Sequence, residues 1–273
     1  MVKKLGLVLL LLVFVEGFFG QRRVDVDVVE SRYVYLLTSQ VDSLNNQNKS
    51  EEYFVLERGK DKSQFMSLNS YKRDSIMMGM LNNAEAGQLK IDLSNVPKTA
   101  FSYRIIKDKA KNQVNFYDKI VRNNFVYEEN LNFKWKIIEE KKNIGSLKCQ
   151  AALISYGGRD YKAWFTNDIP VSEGPYKFYG LPGLIVEIED SKKHYKFELL
   201  SYKNLANNNP LWIDEKRANA KKISKSDFYK ALKSTQENFI SEISKSGFTL
   251  DTNVEGKVKD NMKRRNNPIE LIP

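Results

Sequence analysis

Alternation with a period of two runs through most of this chain. In VDVDVVESRYVYLL, residues 24–37, apolar and polar side chains exchange places at nearly every step at its start, the pattern of a half-buried strand. EEYFVLER (51–58) and SQFMSLNS (63–70) flank Gly59 and predict a hairpin. A dense series follows: FSYRIIKD (101–108), QVNFYDKI (113–120), FVYEEN (125–130) and FKWKIIEE (133–140), with KNIGSLK (142–148) read as a turn or crossing loop. CQAALISY (149–156) and RDYKAWFT (159–166) are joined by Gly157-Gly158. Two glycines between two such runs favour a tight hairpin, because its turn needs positive φ. That register sets Tyr156 opposite Arg159, Ile154 opposite Tyr161 and Ala152 opposite Ala163. The other face then carries Cys149, Ala151, Leu153 and Trp164. Both faces read as apolar, which places this pair near the middle of the fold, covered on both sides. LIVEIED (184–190) and HYKFELLSY (194–202) form another hairpin, with Tyr195, Phe197 and Leu199 on one face and Lys196 and Glu198 on the other.

Two segments break the rhythm. In YKRDSIMMGM (71–80), Ile76, Met77 and Met80 fall at helical spacing; such a methionine group either packs on the core or offers a soft-metal or hydrophobic-ligand surface. In ISKSDFYKALKSTQENFISEISK (223–245), Phe228, Ala231, Leu232, Thr235, Phe239, Ile240 and Ile243 form one helical stripe. Ser224 with Asp227 resembles a capping box, and Gly247 ends the helix. Residues 82–98 read as a long polar loop. Strands in close series favour antiparallel pairing, since parallel strands need long crossovers. The expected fold is mainly β with a helix near the C-terminus (α+β): a curved antiparallel sheet, half-barrel or sandwich-like. It forms one domain over residues 21–250, followed by a basic tail, 251–273.

The first residues, MVKKLGLVLLLLVFVEGFFGQ, carry a positive start (Lys3, Lys4), a short apolar run from Leu5 to Val15 and small residues at Gly17 and Gly20. This is the pattern of a secretory signal peptide over residues 1–20; Glu16 ends the run before it reaches the length of a spanning helix. Export usually brings disulfides, but the chain has one cysteine, Cys149, so stability has to come from a packed core. Cys149 itself reads as a small buried apolar residue. The formal charge is +10, and near +9 once Lys3, Lys4 and Glu16 leave with the leader. Local basic excess is confined to 216–225 and 257–265. In an exported protein this charge suits an anionic membrane surface, met through the basic C-terminal tail, or an acidic partner; nucleic acid is not an expected partner.

Residues 174–185, GPYKFYGLPGLI, hold three glycines and two prolines. Pro182-Gly183 suits a type II turn, with Gly183 at positive φ; Gly174-Pro175 makes a similar bend, and Gly180 lets the backbone approach a neighbour closely. Gly174, Pro175, Gly180, Leu181, Pro182 and Gly183 are thus a structural motif. The aromatics between and before the bends, Trp164, Tyr176, Phe178 and Tyr179, either wall an apolar pocket or press on a partner, or else plug one end of the core.

Catalytic groups are sparse. His194 is the one histidine, at a hairpin turn or strand start where it reads as polar surface, and no G-x-S-x-G elbow accompanies it. One histidine and one cysteine make a structural zinc site improbable, and no cofactor, metal or catalytic residue is assigned. Glu187, Glu189 and Asp190 could hold a hard cation or act as an acid/base pair; as a solvent-facing strand edge they do neither. The acids at 128, 129, 139 and 140 read the same way.

GLPGLI at 180–185 is similar to the signature of the GLPGLI family of exported Bacteroidota proteins. So, in order, are YKRDS (71–75), FYDKI (116–120), NFKWKI (132–137), the stretch from Ile144 to Ala152, AWFTNDIP (163–170), GPYKF (174–178) and NNPIE (266–270). The resemblance implies an exported protein with no established activity, and a cell-envelope role near outer-membrane transport receptors. The expected function is therefore a periplasmic or secreted cell-envelope protein that binds a ligand or partner, an apolar or peptide ligand or an outer-membrane receptor, without catalysis. The alternative is a carboxylate-dependent hydrolase acting on glycans.

Overall fold

In the computed structural model, residues 23–45, 49–82, 96–121, 123–206, 209–245 and 263–272 are described, together with Glu255, Gly256, Val258 and Asp260. The expected leader, most of the 82–98 loop and the helix stop at Gly247 lie outside the described residues. No described helix is long and apolar enough to cross a membrane.

Thirteen strands make one open sheet. They are β1 (Arg23–Ser39), β2 (Ser50–Gly59), β3 (Lys62–Ser67), β4 (Arg104–Asp108), β5 (Gln113–Ile120), β6 (Asn123–Glu129), β7 (Lys136–Ile144), β8 (Leu147–Tyr156), β9 (Arg159–Thr166), β10 (Leu184–Asp190), β11 (Tyr195–Asn204), β12 (Pro210–Asp214) and β13 (Lys221–Lys222). Three helices accompany them: α1 (Leu68–Asn82), α2 (Glu215–Ala218) and α3 (Lys225–Lys245). Across the sheet the order is β13-β6-β5-β4-β3-β2-β1-β11-β10-β9-β8-β7, with β12 on the first half of β1. Pairing is antiparallel except between β13 and β6. The architecture is the mainly-β, half-open antiparallel sheet that the alternation predicts.

Alternate residues build the core. Tyr33, Tyr35 and Leu37 of β1, Phe54 and Leu56 of β2, Phe65 of β3, Ile105 of β4, Phe116 of β5, Tyr127 of β6, Tyr161 and Phe165 of β9, and Phe197 of β11 are all buried in one cluster. Their rings stack and cross: Phe54 lies on Phe65 at 5.0 Å and Phe116 on Tyr127 at 4.9 Å. The sheet curls over this face. β6 and β8 are nine places apart in the order, roughly 40 Å if flat, at about 4.8 Å per strand. Yet the ammonium of Lys177 lies 4.9 Å from the Tyr127 ring of β6 and 6.0 Å from the Tyr156 ring of β8. Residues 167–183 fill the bowl, and α3 closes part of it with Phe228 against Phe116 and Tyr127. Ser224 caps α3 by accepting from the Asp227 amide at 3.0 Å.

The opposite, outer face has a partial cover. Arg104 of β4 is buried there, donating to the Trp212 carbonyl at 3.1 Å and to Asp74 of α1 at 3.0 Å, while Arg217 of α2 also binds Asp74 at 2.9 Å. Burial brings Arg104 down to about 10.

Three expectations are corrected. The 149–166 hairpin has the expected register, with both turn glycines at positive φ (58° and 78°). However, β8 is second from the sheet edge, and the face it shares with Trp164 is covered only in part: Cys149 and Ala151 are buried, whereas Leu153 is 36% exposed. On that face Trp164 lies under the ammonium groups of Lys142 and Lys162. Of the turn or crossing loop expected over 142–148, the turn is present but narrower: β7 runs to Ile144, Gly145 at φ 58° and Ser146 make the turn, and β8 starts at Leu147. The glycines of the quoted motif also exchange roles. Gly180 takes the positive φ, 96°, whereas Gly183 lies outside that region, so Leu181–Leu184 is not the expected type II turn. A Cβ on Gly183 would sit 1.9 Å from the Thr166 carbonyl oxygen, so it is glycine because β9 passes there.

Candidate functional site

The turn at Pro175–Phe178, closed by the Phe178 amide on the Pro175 carbonyl at 3.1 Å, drives three successive side chains inward. Tyr176, Lys177 and Phe178 are 1%, 0% and 0% exposed. Consecutive burial is available only because the segment lies inside the bowl, with sheet on several sides. Tyr176 holds φ 54°, an uncommon conformation for a bulky residue, and its hydroxyl donates to Glu270 at 2.5 Å. Phe178 meets Tyr161 at 4.9 Å and Tyr156 at 5.7 Å.

Lys177 is the centre of a buried ionic cluster. Its ammonium donates to the Tyr127 hydroxyl at 2.9 Å and to Glu129, and pairs with Glu270 at 2.6 Å. Phe116, Tyr127, Tyr156 and Tyr176 surround it. Lys225, at the start of α3, joins from the other side, 2.7 Å from both Glu129 and Glu270. Burial alone would raise Glu270; the two lysines outweigh it and hold the carboxyl below its ordinary value. Burial pushes the Tyr127 and Tyr156 hydroxyls well above the tyrosine range, so both stay protonated.

Glu270 belongs to a segment bound like a peptide. Arg159 donates to the carbonyls of Ile269 (3.1 Å) and Pro268 (2.7 Å) and to the Asn267 side chain (2.6 Å); Tyr195 donates to the Asn267 carbonyl at 2.6 Å. Arg159 is itself held by Asp190 at 3.1 Å and lies 3.3 Å from His194 Nδ1. The NNPIE stretch is thus packed into the core at Asn267 and Glu270.

Beside this cluster a cavity of ≈ 320 Å³ opens at the mouth of the bowl. Its walls come from the end of β2 (Arg58), the β4–β5 turn (Lys107 to Gln113), Pro170–Glu173 and Tyr179. Lys107 donates to Glu173 at 3.1 Å, to the Gly174 carbonyl at 2.8 Å and to the Phe178 carbonyl at 3.0 Å, pinning both ends of the buried turn. Tyr179 is fixed at the rim: its carbonyl accepts from Trp135 at 2.8 Å and its hydroxyl donates to the Leu131 carbonyl at 2.5 Å. A second depression, ≈ 440 Å³, lies over Leu153 and Tyr161 near the β7 edge.

Of the aromatics singled out from sequence, Tyr176, Phe178 and Tyr179 come together, the first two as buried plug and the third as cleft wall. Trp164 stands apart on the outer face, under Lys142 at 4.3 Å and Lys162 at 4.9 Å. Glu187 and Glu189 are also outer; Glu187 pairs with Lys142 at 2.8 Å and Lys196 at 3.6 Å, while Asp190 is buried on Arg159. Among the described residues no group of three His, Cys, Asp or Glu side chains converges as metal ligands. Sequence reasoning missed Lys177, Lys107, Glu173 and Glu270, and it read Glu129, which is largely buried, as a solvent-facing acid. The available signal was position: Lys177 stands between aromatics inside a glycine- and proline-bounded turn.

Residues 158–187 match the model of a family described as "Protein of unknown function (Porph_ging)". That stretch includes β9, the buried turn and most of β10. No curated protein matches the chain. Among solved structures, two crystal forms of PNGF-II, C2 and P21, share 12% identity with it at TM-scores of 0.51 and 0.52. The match covers 76% of this chain, which spans about a third of PNGF-II (33% and 34%). At that identity the likeness is one of fold.

Proposed function

We propose that this is an exported, non-catalytic cell-envelope protein that meets a ligand or partner at the cleft bounded by Arg58, Lys109, Ser172 and Tyr179. The observation that carries the reading is a contrast in commitment. The charged groups inside the bowl neutralise one another, whereas the cleft at its mouth is open and walled by the motif's own Tyr179. The leader pattern at residues 1–20 supports export, and the GLPGLI resemblance adds an accessory role beside an outer-membrane receptor. The hydrolase alternative gains nothing from Glu187, which is paired with two lysines.

A photo-crosslinking residue placed at Ser172 or Asn112 in intact producing cells tests this. The expected result is a discrete adduct from those positions and none from Lys233, which is exposed on α3. Equal labelling at all three, or none, contradicts it.

A further inference from the structure

Three cations, Arg58, Lys107 and Lys109, line the cleft with two acids, Asp108 and Glu173. Both acids are internally satisfied. Glu173 holds Lys107 at 3.1 Å, and Asp108 accepts from the Lys111 amide at 3.1 Å and faces Lys62 at 3.7 Å. Lys107 has its three N–H groups committed, so it contributes fixed positive charge. The other two cations are not used up. Arg58 donates through Nη1 to Glu30 at 2.8 Å, and among the described residues its Nε and Nη2 have no partner. Lys109 makes one long bond, 3.3 Å, to the Gly59 carbonyl and lies 3.9 Å from Glu173. Burial lowers its pKa, a cost that a nearby anion would reverse.

Behind the lining residues, a buried hydroxyl stands between two of the cations. Ser63 faces Arg58 on one side and Lys107 on the other, and its hydroxyl is buried with no partner among the described residues. At the rim, Ser172 accepts from the Gly180 amide at 3.1 Å and keeps its own hydrogen; Asn112 lies 3.3 Å from the Tyr179 hydroxyl, whose one hydrogen goes to Leu131, and keeps its amide hydrogens. A guanidinium with its Nε–Nη2 edge free matches a planar carboxylate. One net positive charge among the lining groups balances a monoanion better than a phosphate dianion, and ≈ 320 Å³ is at the small end of ligand sites, about 300–1,000 Å³.

Resting on the reading of this cleft as the binding site, we propose that it takes a carboxylate carried on a small polar molecule. Arg58 and Lys109 hold the charge, Ser172 and Asn112 bond the polar body, and Tyr179 is the wall it lies against.

Calorimetric titration of the full mature protein with glucuronate, lactate, inorganic phosphate and glucose tests this at low salt. Expected is saturable binding of glucuronate or lactate, both monoanions, but not glucose. That binding should weaken about tenfold in Arg58→Gln and again in Lys109→Gln, as loss of a charged hydrogen bond requires, and stay unchanged in Lys142→Gln on the outer face. Ser172→Glu, which adds a repelling acid without removing any ion pair, should lose binding equally. Three results would overturn the proposal: no carboxylate binding up to about 10 mM, near the weakest useful affinity; undiminished binding in Arg58→Gln and Ser172→Glu; or phosphate binding without either carboxylate. If Ser172 still crosslinks a partner in cells while carboxylates fail, the ligand class falls and the binding-site reading stands. If both fail, so does the reading.

Discussion

On the inner face, Lys177 sits among Glu129, Glu270 and four aromatic rings; on the outer face, Lys142 and Lys162 sit over Trp164 within reach of Glu187 and Glu140. The residue types are the same and the consequences differ. Lys177 is fully buried, so each lost partner leaves a charge without water to replace it. Lys142 and Lys162 keep over a third of their side-chain surface exposed, where solvent screens the pair and side-chain entropy opposes it. Burial, not pairing, decides which ion pair holds the fold. The inner cluster joins four separated parts of the chain: β6, the 174–178 turn, the start of α3 and the Asn267–Glu270 segment.

The largest effect is expected from Lys177→Met. It leaves two carboxylates facing one lysine, a loss of about 3–5 kcal/mol, or about 10 °C in melting temperature at this chain length; calorimetry reads it directly. Next comes acid sensitivity. Glu270 has a folded pKa below its unfolded value, so its contribution is complete above the ordinary carboxylate range and is lost as pH falls through the folded value. Wild type should therefore lose melting temperature steeply below about pH 4, and Glu270→Gln, already lower at neutral pH, should lose less. Equal slopes would break the comparison. Outside, Glu187→Gln should cost at most about 1 kcal/mol, a shift of a few degrees. The smallest effect is that of salt: half-molar sodium chloride should remove most of the Glu187→Gln difference and leave the Lys177→Met difference nearly intact, because buried pairs are little screened.

Local pattern made much of this fold legible. The Gly157-Gly158 turn and its register follow from period-two alternation and the need for positive φ, and Ser224 with Asp227 marks the start of α3. β12 was hidden because Pro210 opens it, a position strands tolerate but sequence patterns penalise. The cleft was only partly visible. Tyr179 could be found as an aromatic beside a bend, but Arg58, Lys109 and Ser172 meet it only through tertiary folding. The ionic cluster was opaque for a similar reason: Glu129 is 48 residues from Lys177, and Glu270 lies in a stretch that reads as a basic tail. A lysine between aromatics looks solvent-facing until its partners are known.

The central claim is that GPYKFYGLPGLI is scaffold, pinned from within by Lys177 and Glu270, with the open cleft at its rim. Native-state hydrogen exchange of the amides from Val171 to Ile185 measures this most directly. In wild type, the amides of Glu173, Phe178 and Ile185, which bond Val171, Pro175 and Glu173 carbonyls, should exchange only at the rate of the most protected β-strands, and Glu270→Gln should deprotect them ahead of β1 and β2. Exchange of these amides within seconds in the native wild-type protein, as in a mobile surface loop, would contradict the account.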